Sequence, residues 1–389
     1  MKSPLTTLCY IEKEDKYLML HRVSKENDVN KDKWIGIGGH FEEGESPEEC
    51  LLREAKEETG LILTSWKFRG IITFVSDEWP TEYMCLYTAD GFEAARGTKA
   101  VDGSEVDRGI KTADEFDGDH REEQAEDAGV SGSVSDGMVS EELPECDEGV
   151  LEWVPKAEVT NLNLWEGDKI FLKMLAEDAP FFSMKLIYRG DVLSYASVNG
   201  NELELFDICD NKGNPTGKVT ERSVAHATGA IHRTAHVWIV RQAENGSWEI
   251  LLQKRSQQKD SFPGCMDTSS AGHVQAGCEC LESARRELKE ELGIDASEED
   301  LTYVGYFDDG DVKAEFNGKP FHDHEIAFVH VYEKEIDINQ LILQKEEVDA
   351  VQWMDYHECR SLVAAGDKRF CLHLSGLELV GRYLGIVSI

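Results

Sequence analysis

The 389-residue chain contains no apolar run approaching the roughly 18 residues that a membrane-spanning helix needs. It is also short of basic residues. Forty Lys and Arg stand against 77 Asp and Glu, leaving a formal charge of −37. So acidic a surface repels a nucleic-acid backbone, which binders attract with clustered Lys and Arg, and this argues against a polymer-binding role. A small anionic substrate stays compatible if a divalent cation neutralises it locally. The ten cysteines are scattered, with no C-x-x-C pair, and read as reduced thiols of a cytoplasmic protein. The N-terminal MKSPLTTLCYIEKEDKYLMLH lacks the apolar core and cleavage site of a signal peptide and reads as a hairpin.

With 41% hydrophobic residues, the chain has material for true cores, and its length suits two domains. One stretch differs. Residues 95–142 are rich in Gly, Ser, Ala, Asp and Glu, with Phe116 the lone Phe, Tyr or Trp, and read as a disordered acidic insertion. Elsewhere the chain repeats itself. Gly39 begins GHFEEGESPEECLLREAKEETGL and Gly272 begins GHVQAGCECLESARRELKEELGI, both 23 residues long. Each copy follows an alternating apolar hairpin and precedes a strand carrying Trp153 or Trp353. A repeat of this length implies a duplicated domain. The turn signal at Asn199-Gly200 places the seam there, between a strand-like Phe182–Ser197 and a new strand at Leu203–Cys209. Two α+β domains are expected, residues 1–198 and 199–389.

Ser46-Pro47-Glu48-Glu49 is a helix start and Gly60 a helix stop. Glu54, Glu57 and Glu58 fall at i, i+3 and i+4, so their carboxylates project from one face. Like charges so placed destabilise an isolated helix, and a solvated acidic face is the bland reading. That reading must also account for the glycine loop before the helix and for the recurrence 233 residues later. Hard oxygen ligands on a rigid helix suit Mg²⁺ or Mn²⁺, and hence a phosphate substrate.

At these residues the first copy resembles the Nudix box, G-x5-E-x7-R-E-U-x-E-E-x-G-U, with Gly39, Glu45, Arg53, Glu54, Glu57, Glu58 and Gly60 at the fixed positions. The resemblance implies two Nudix α/β/α sandwich domains with mixed sheets. It also implies hydrolysis of a nucleoside diphosphate linked to another moiety. Glu54, Glu57 and Glu58 would ligate the metal, one of them serving as base toward water, and Arg53 would pair with Glu45 to brace the loop. Within the family, TTLCYI, DKWIGIGGHFEEGE and LNLWEGDKIFLKMLAEDAPFFSMKLIYRGDVL are similar to MutT-type hydrolases of oxidised purine nucleoside triphosphates such as 8-oxo-dGTP. That likeness gives Trp165 and Asp168 the purine, by stacking and by hydrogen bonding. Gly167 stands where a second acid is usual, and Ile35 where an Asn contacts the base. The likeness adds Glu148 and the Gly38 carbonyl as metal ligands. Arg22 and Lys33 are candidate phosphate contacts, and Thr7 a further candidate substrate contact.

The second box keeps Gly272, Arg286, Glu287, Glu290, Glu291 and Gly293, but Cys278 replaces the first glutamate, so Arg286 loses its brace. Its flanks resemble the Nudix subgroup related to isopentenyl-diphosphate isomerase. In that isomerase, histidines and a glutamate form a second metal site, and His226, His232, His273 and Glu325 are the counterparts. The isomerase cysteine before Gly-His is here Ala271. The expected function is Mg²⁺-dependent hydrolysis of nucleoside triphosphates to monophosphate and pyrophosphate by the first domain, with a second hydrolase of unknown substrate behind it. Isomerase activity, or a non-catalytic binding or dimerisation module, is the alternative for the second domain. The expected partners are small nucleotides or diphosphates, with neither nucleic-acid polymer nor membrane; a homodimer is compatible.

Overall fold

The computed structural model describes residues 4–24, 28–94, 146–259, 261–316 and 319–387. The acidic stretch 95–142 lies outside them.

The first half opens with the hairpin β1 (Leu5–Lys13) and β2 (Lys16–His21), then β3 (Trp34–Ile35). Helix α1 (Pro47–Thr59) begins as its sequence dictates. Ser46 Oγ accepts from the Glu49 N–H, the Glu49 carboxylate accepts from the Ser46 N–H, and Gly60 ends the helix at φ 65°. There follow β4 (Leu61–Ser76), β5 (Glu82–Ala94), β6 (Val150–Pro155), α2 (Lys156–Val159), α3 (Glu166–Ala176), β7 (Phe182–Arg189), β8 (Val192–Val198) and β9 (Asn201–Glu202). One sheet runs β3-β2-β1-β5-β4-β7-β8-β9, with β6 also on β2. It is mixed: β1 and β5 run parallel, as do β4 and β7. Along β1 the side chains alternate. Cys9 and Ile11 join Leu51 and Ala55 of α1, whereas Leu8 and Tyr10 join Ile170, Phe171 and Leu175 of α3. The result is an α/β/α sandwich.

The expected strand over Phe182–Ser197 is in fact two, β7 and β8, because Gly190 turns the chain at φ 55°. Asn199 and Gly200 also take positive φ, 51° and 82°, and fold β9 back onto β8. The first sheet therefore reaches Glu202.

The second half starts with the separate hairpin β10 (Leu205–Cys209) and β11 (Pro215–Glu221), then α4 (Arg222–Thr228). Next come β12 (His232–Gln242), β13 (Trp248–Arg255), β14 (Met266–Asp267), β15 (Ser270–His273), α5 (Cys280–Leu292), β16 (Thr302–Phe316), β17 (Lys319–Tyr332), β18 (Val348–Asp355), α6 (Tyr356–Ala364) and α7 (Leu374–Tyr383). The order β14-β13-β12-β17-β16, with β15 on β12 and β18 on β13, reproduces the pairing pattern of the first half. Ala284, Leu288 and Leu292 of α5 cover one face, and Tyr356, Leu377 and Val380 of α6 and α7 the other.

The halves share a core. Leu205, Val219 and Val224, from β10, β11 and α4, belong to the same buried cluster as Leu193 and Ala196 of β8 and Ile170 and Leu172 of α3. Leu205→Ala should cost about 2–5 kcal/mol, the usual range for emptying a buried leucine site. Amide exchange in Val192–Val198 should quicken with it, since that strand packs on the vacated volume. Quickened exchange confined to the second half would contradict a shared core.

Candidate functional site

In the first half, β1 and α1 are brought together by a turn that tolerates only glycine. A β-carbon on Gly39 would lie 2.4 Å from Glu54 Oε1, and one on Gly38, at φ 151°, 2.2 Å from the Thr7 carbonyl oxygen. The helix carboxylates can therefore lie directly against the strand backbone. Gly38 N–H donates to Glu58 Oε2 at 3.0 Å, and Glu58 is buried. Arg53 forks onto Glu45, Nε to Oε1 at 2.7 Å and Nη2 to Oε2 at 2.9 Å. It also donates to Glu54 at 2.6 Å, to Glu57 at 3.3 Å and to the His40 carbonyl at 3.1 Å. The hydrogen bonds from Arg53 hold the Glu45 carboxyl down at about 2. Glu57 is the open member of the set, its side chain 61% exposed. This leaves a face with more negative charge than Arg53 balances, built from hard oxygen donors, and it fits Mg²⁺ or Mn²⁺.

Arg22 is held by Asp28, 2.7 Å away, and by Glu148, so neither Arg22 nor Glu148 stands alone. Thr7 is buried, its hydroxyl 3.6 Å from Cys50 Sγ of α1. Trp165 and Asp168 start α3, on the opposite face of the sheet from α1. The Trp165 indole N–H donates to Asn30 Oδ1 at 2.9 Å. Its ring meets Phe74 and Tyr188 edge-on, and the Lys33 ammonium lies 4.6 Å above it. Lys33 thus sits over the indole. Gly167 has its own reason: a β-carbon there would come within 2.4 Å of Leu186 and 2.8 Å of the Tyr188 hydroxyl. Burial pushes the Asp168 carboxyl up to about 8, against the opposing charge of Lys33.

The second half repeats the turn, with Gly272 set so that a β-carbon would lie 2.2 Å from the Glu287 carboxyl carbon. Ala271 N–H donates to Glu291 Oε2 at 3.2 Å, and burial raises the Glu291 carboxyl to about 8. Arg286 donates to Glu287 at 2.7 Å and to the His273 carbonyl at 3.1 Å. Its buried Nε has no hydrogen-bond partner among the described residues, as the loss of a glutamate at position 278 requires.

On the opposite face of that sheet, His226 from α4, His232 from β12, His273 from β15 and Glu325 from β17 offer ligand atoms all within 4.8 Å of one another. His273 Nε2 lies 3.4 Å from Glu325 and His232 Nε2 3.6 Å from Asp323. The Nε2 atoms of all three histidines and Asp323 Oδ1 are buried without a hydrogen-bond partner among the described residues. Phe206 of β10 stacks on His232 at 4.8 Å and on His273 at 4.6 Å. Burial, then the charges of its neighbours His273 and His232, lowers His226 to about 3, so it is a neutral imidazole near pH 7. Unpartnered imidazole nitrogens converging with carboxylates suit a divalent cation. Asp323 and Phe206 were missed from sequence. Asp323 was within reach, because alternation along His322-Asp323-His324-Glu325 puts it on the face of Glu325; Phe206 carried no such signal.

Asp168 yields a prediction with a definite sign. Its folded value, about 8, lies above the ordinary 3.8, so stability falls as pH rises from about 4 to about 8. Asp168→Asn should therefore raise the melting temperature at pH 9 and leave it nearly unchanged at pH 4. A difference independent of pH would show that Asp168 is not a desolvated acid.

A family model described as the NUDIX domain matches the chain twice, over residues 2–129 and 231–374. Nudix hydrolase 3 of Arabidopsis thaliana is 38% identical over 172 residues, which is 43% of this chain and 21% of that protein. An uncharacterized Nudix hydrolase of Clostridium acetobutylicum is 37% identical over 147 residues, 38% of this chain and 68% of its own length. The match thus spans about a fifth of the Arabidopsis protein. Among solved structures, a MutT protein of Bacillus halodurans aligns with 50% of this chain and 97% of its own, at 21% identity and a TM-score of 0.35. The two matched segments take up more than half of the length, and each contains a glycine turn set against a glutamate-bearing helix: the chain belongs to the Nudix family.

Proposed function

We propose that the first domain is a divalent-metal-dependent pyrophosphohydrolase of nucleoside triphosphates, oxidised purine nucleotides such as 8-oxo-dGTP among them. The observation that carries this reading is the braced carboxylate face, with Arg53 forked onto Glu45 and Glu54, Glu57 and Glu58 presented beside the Gly38–Gly39 turn. Glu54, Glu57 and Glu58 would hold the cation. Mg²⁺ or Mn²⁺ held there would offset the charge that develops on the phosphate and make water more acidic. The side chains do the remainder. One carboxylate takes the proton of the attacking water, and Arg53 keeps the helix and loop in register. Water attacks phosphorus, the bond to the bridging oxygen breaks, and nucleoside monophosphate and pyrophosphate leave. Asp168, neutral near pH 7, supports purine recognition because a carboxylic acid can both donate to and accept from a base edge. The packing of Phe74, Tyr188 and Lys33 around Trp165 supports its role as a wall of that pocket rather than a freely exposed stacking plate.

We propose for the second domain a second hydrolase of a small diphosphate, with Glu287, Glu290 and Glu291 as one cation set and His226, His232, His273 and Glu325 as another. The buried, unpartnered Nε2 atoms favour this over a non-catalytic module, in which such atoms would carry an uncompensated cost. Ala271 in the register of the isomerase cysteine disfavours isomerisation.

The test is a nucleotide panel with Mg²⁺ on the full chain. Glu58→Gln should lower first-domain turnover by at least about 100-fold, in the range for losing a group that handles charge or protons in the transition state. The fold, followed by circular dichroism, should be unchanged. Turnover of every nucleotide equal to wild type at saturating Mg²⁺ would overturn the assignment. Chelation by EDTA should silence both domains, with activity returning on Mg²⁺ or Mn²⁺; activity persisting in EDTA would rule out the metal-dependent reading.

A further inference from the structure

Loss of the glutamate brace in the second domain should leave the loop between β15 and α5 loose, yet that loop is held. Asp207 Oδ2, from β10, accepts from the Gly277 N–H at 3.0 Å and from Arg233 Nη2 at 2.9 Å. The same Arg233 nitrogen donates to the Cys278 carbonyl at 3.1 Å, and Arg233 Nη1 reaches Cys280 Sγ at 3.8 Å. Ala276 N–H donates to the Leu205 carbonyl at 2.7 Å, and Phe206 bridges to Gln275. Arg233 is 7% exposed, and the Asp207 side chain 13%, so this is a buried ion pair closed on both sides of the loop. Among the described residues the first half has no equivalent ion pair. Thr6 pairs with His40 as Thr234 pairs with His273, so Leu5 stands where Arg233 does. Asp207 lies upstream of the second matched segment, which begins at residue 231.

We propose that Asp207 and Arg233 are the positioning residues of the second domain's metal-binding face, gripping the loop from outside where Glu45 grips it through Arg53 in the first. The loop leads from His273, a member of the histidine set, into the helix carrying Glu287, Glu290 and Glu291. Its register therefore sets both groups of ligands, and the proposal rests on the reading of those groups as cation sites. The buried unpaired Nε of Arg286 supplies the means of checking it. A glutamate at position 278 would stand, relative to Arg286, as Glu45 does to Arg53, eight residues before it in both boxes.

Three variants of the full chain decide the matter: Asp207→Asn, Cys278→Glu and the two combined. Amide exchange of residues 274–279 should quicken several-fold in Asp207→Asn and return toward wild type in the double variant. The second readout is Co²⁺ affinity, followed through the visible bands of histidine-ligated cobalt, which the all-carboxylate set of the first domain does not share. Asp207→Asn should weaken it by about tenfold or more, as removal of groups that orient metal ligands does, and the double variant should recover it. Arg233→Lys keeps the charge but loses the fork, and should reproduce the Asp207→Asn pattern if that variant does not fold. Unchanged exchange in Asp207→Asn overturns the proposal. So does failure of Cys278→Glu to restore exchange, since a merely structural role would not be rescued from the other side of the loop. Absence of cobalt bands in the wild type would refute the histidine set as a cation site, while the exchange arm would still decide the clamp.

Discussion

In each half of this molecule a carboxylate occupies the space where a β-carbon would otherwise be. Glu54 lies under Gly39 and Glu287 under Gly272, at separations no side chain could share. That close approach requires glycine at the end of a strand, a helix entering at a fixed angle, and a loop between them that cannot drift. The capping box at Ser46 and the left-handed glycines Gly60 and Gly293 fix the two helices at their ends. The alternating side chains of β1 and β12 bury each sheet on both faces, so strand and helix meet as rigid bodies.

The loop is the weak member of that assembly, and the two halves secure it differently. In the first, one charged fork suffices, because Arg53 reaches Glu45 with two of its nitrogens. In the second, the fork has no carboxylate on the loop to meet, and the grip passes to the hairpin β10–β11, which has no counterpart among the described residues of the first domain. The same hairpin stacks Phe206 on two of the histidines and buries Leu205 and Val219 against the first domain's sheet. One small element thus joins the halves, walls the histidine set and anchors the loop.

The helices and their acidic faces were legible in the sequence, since caps, glycines and the spacing of Glu54, Glu57 and Glu58 are local signals. The mixed sheets and sandwich layers followed from the repeat and its family likeness. Less legible were features made by distant residues. Asp207 and Arg233 are 26 positions apart and look like any surface charges until β10 and β12 are placed side by side. Phe182–Ser197 read as one strand because its alternation continues through a turn that Gly190 makes. Gly167 stood out in sequence only as a missing acid, and the reason, packing against Leu186 and Tyr188 that leaves no room for a side chain, comes from distant strands.

The central claim is that both glutamate helices hold divalent cations against their glycine turns. Diffraction from crystals grown in Mn²⁺, with anomalous data at the manganese edge, tests it most directly. The account predicts peaks within coordination distance of Glu54, Glu57 or Glu58 and of Glu287, Glu290 or Glu291, about 2.0–2.6 Å from carboxylate oxygens. Well-ordered carboxylates without an anomalous peak at either helix, at millimolar Mn²⁺, would contradict it.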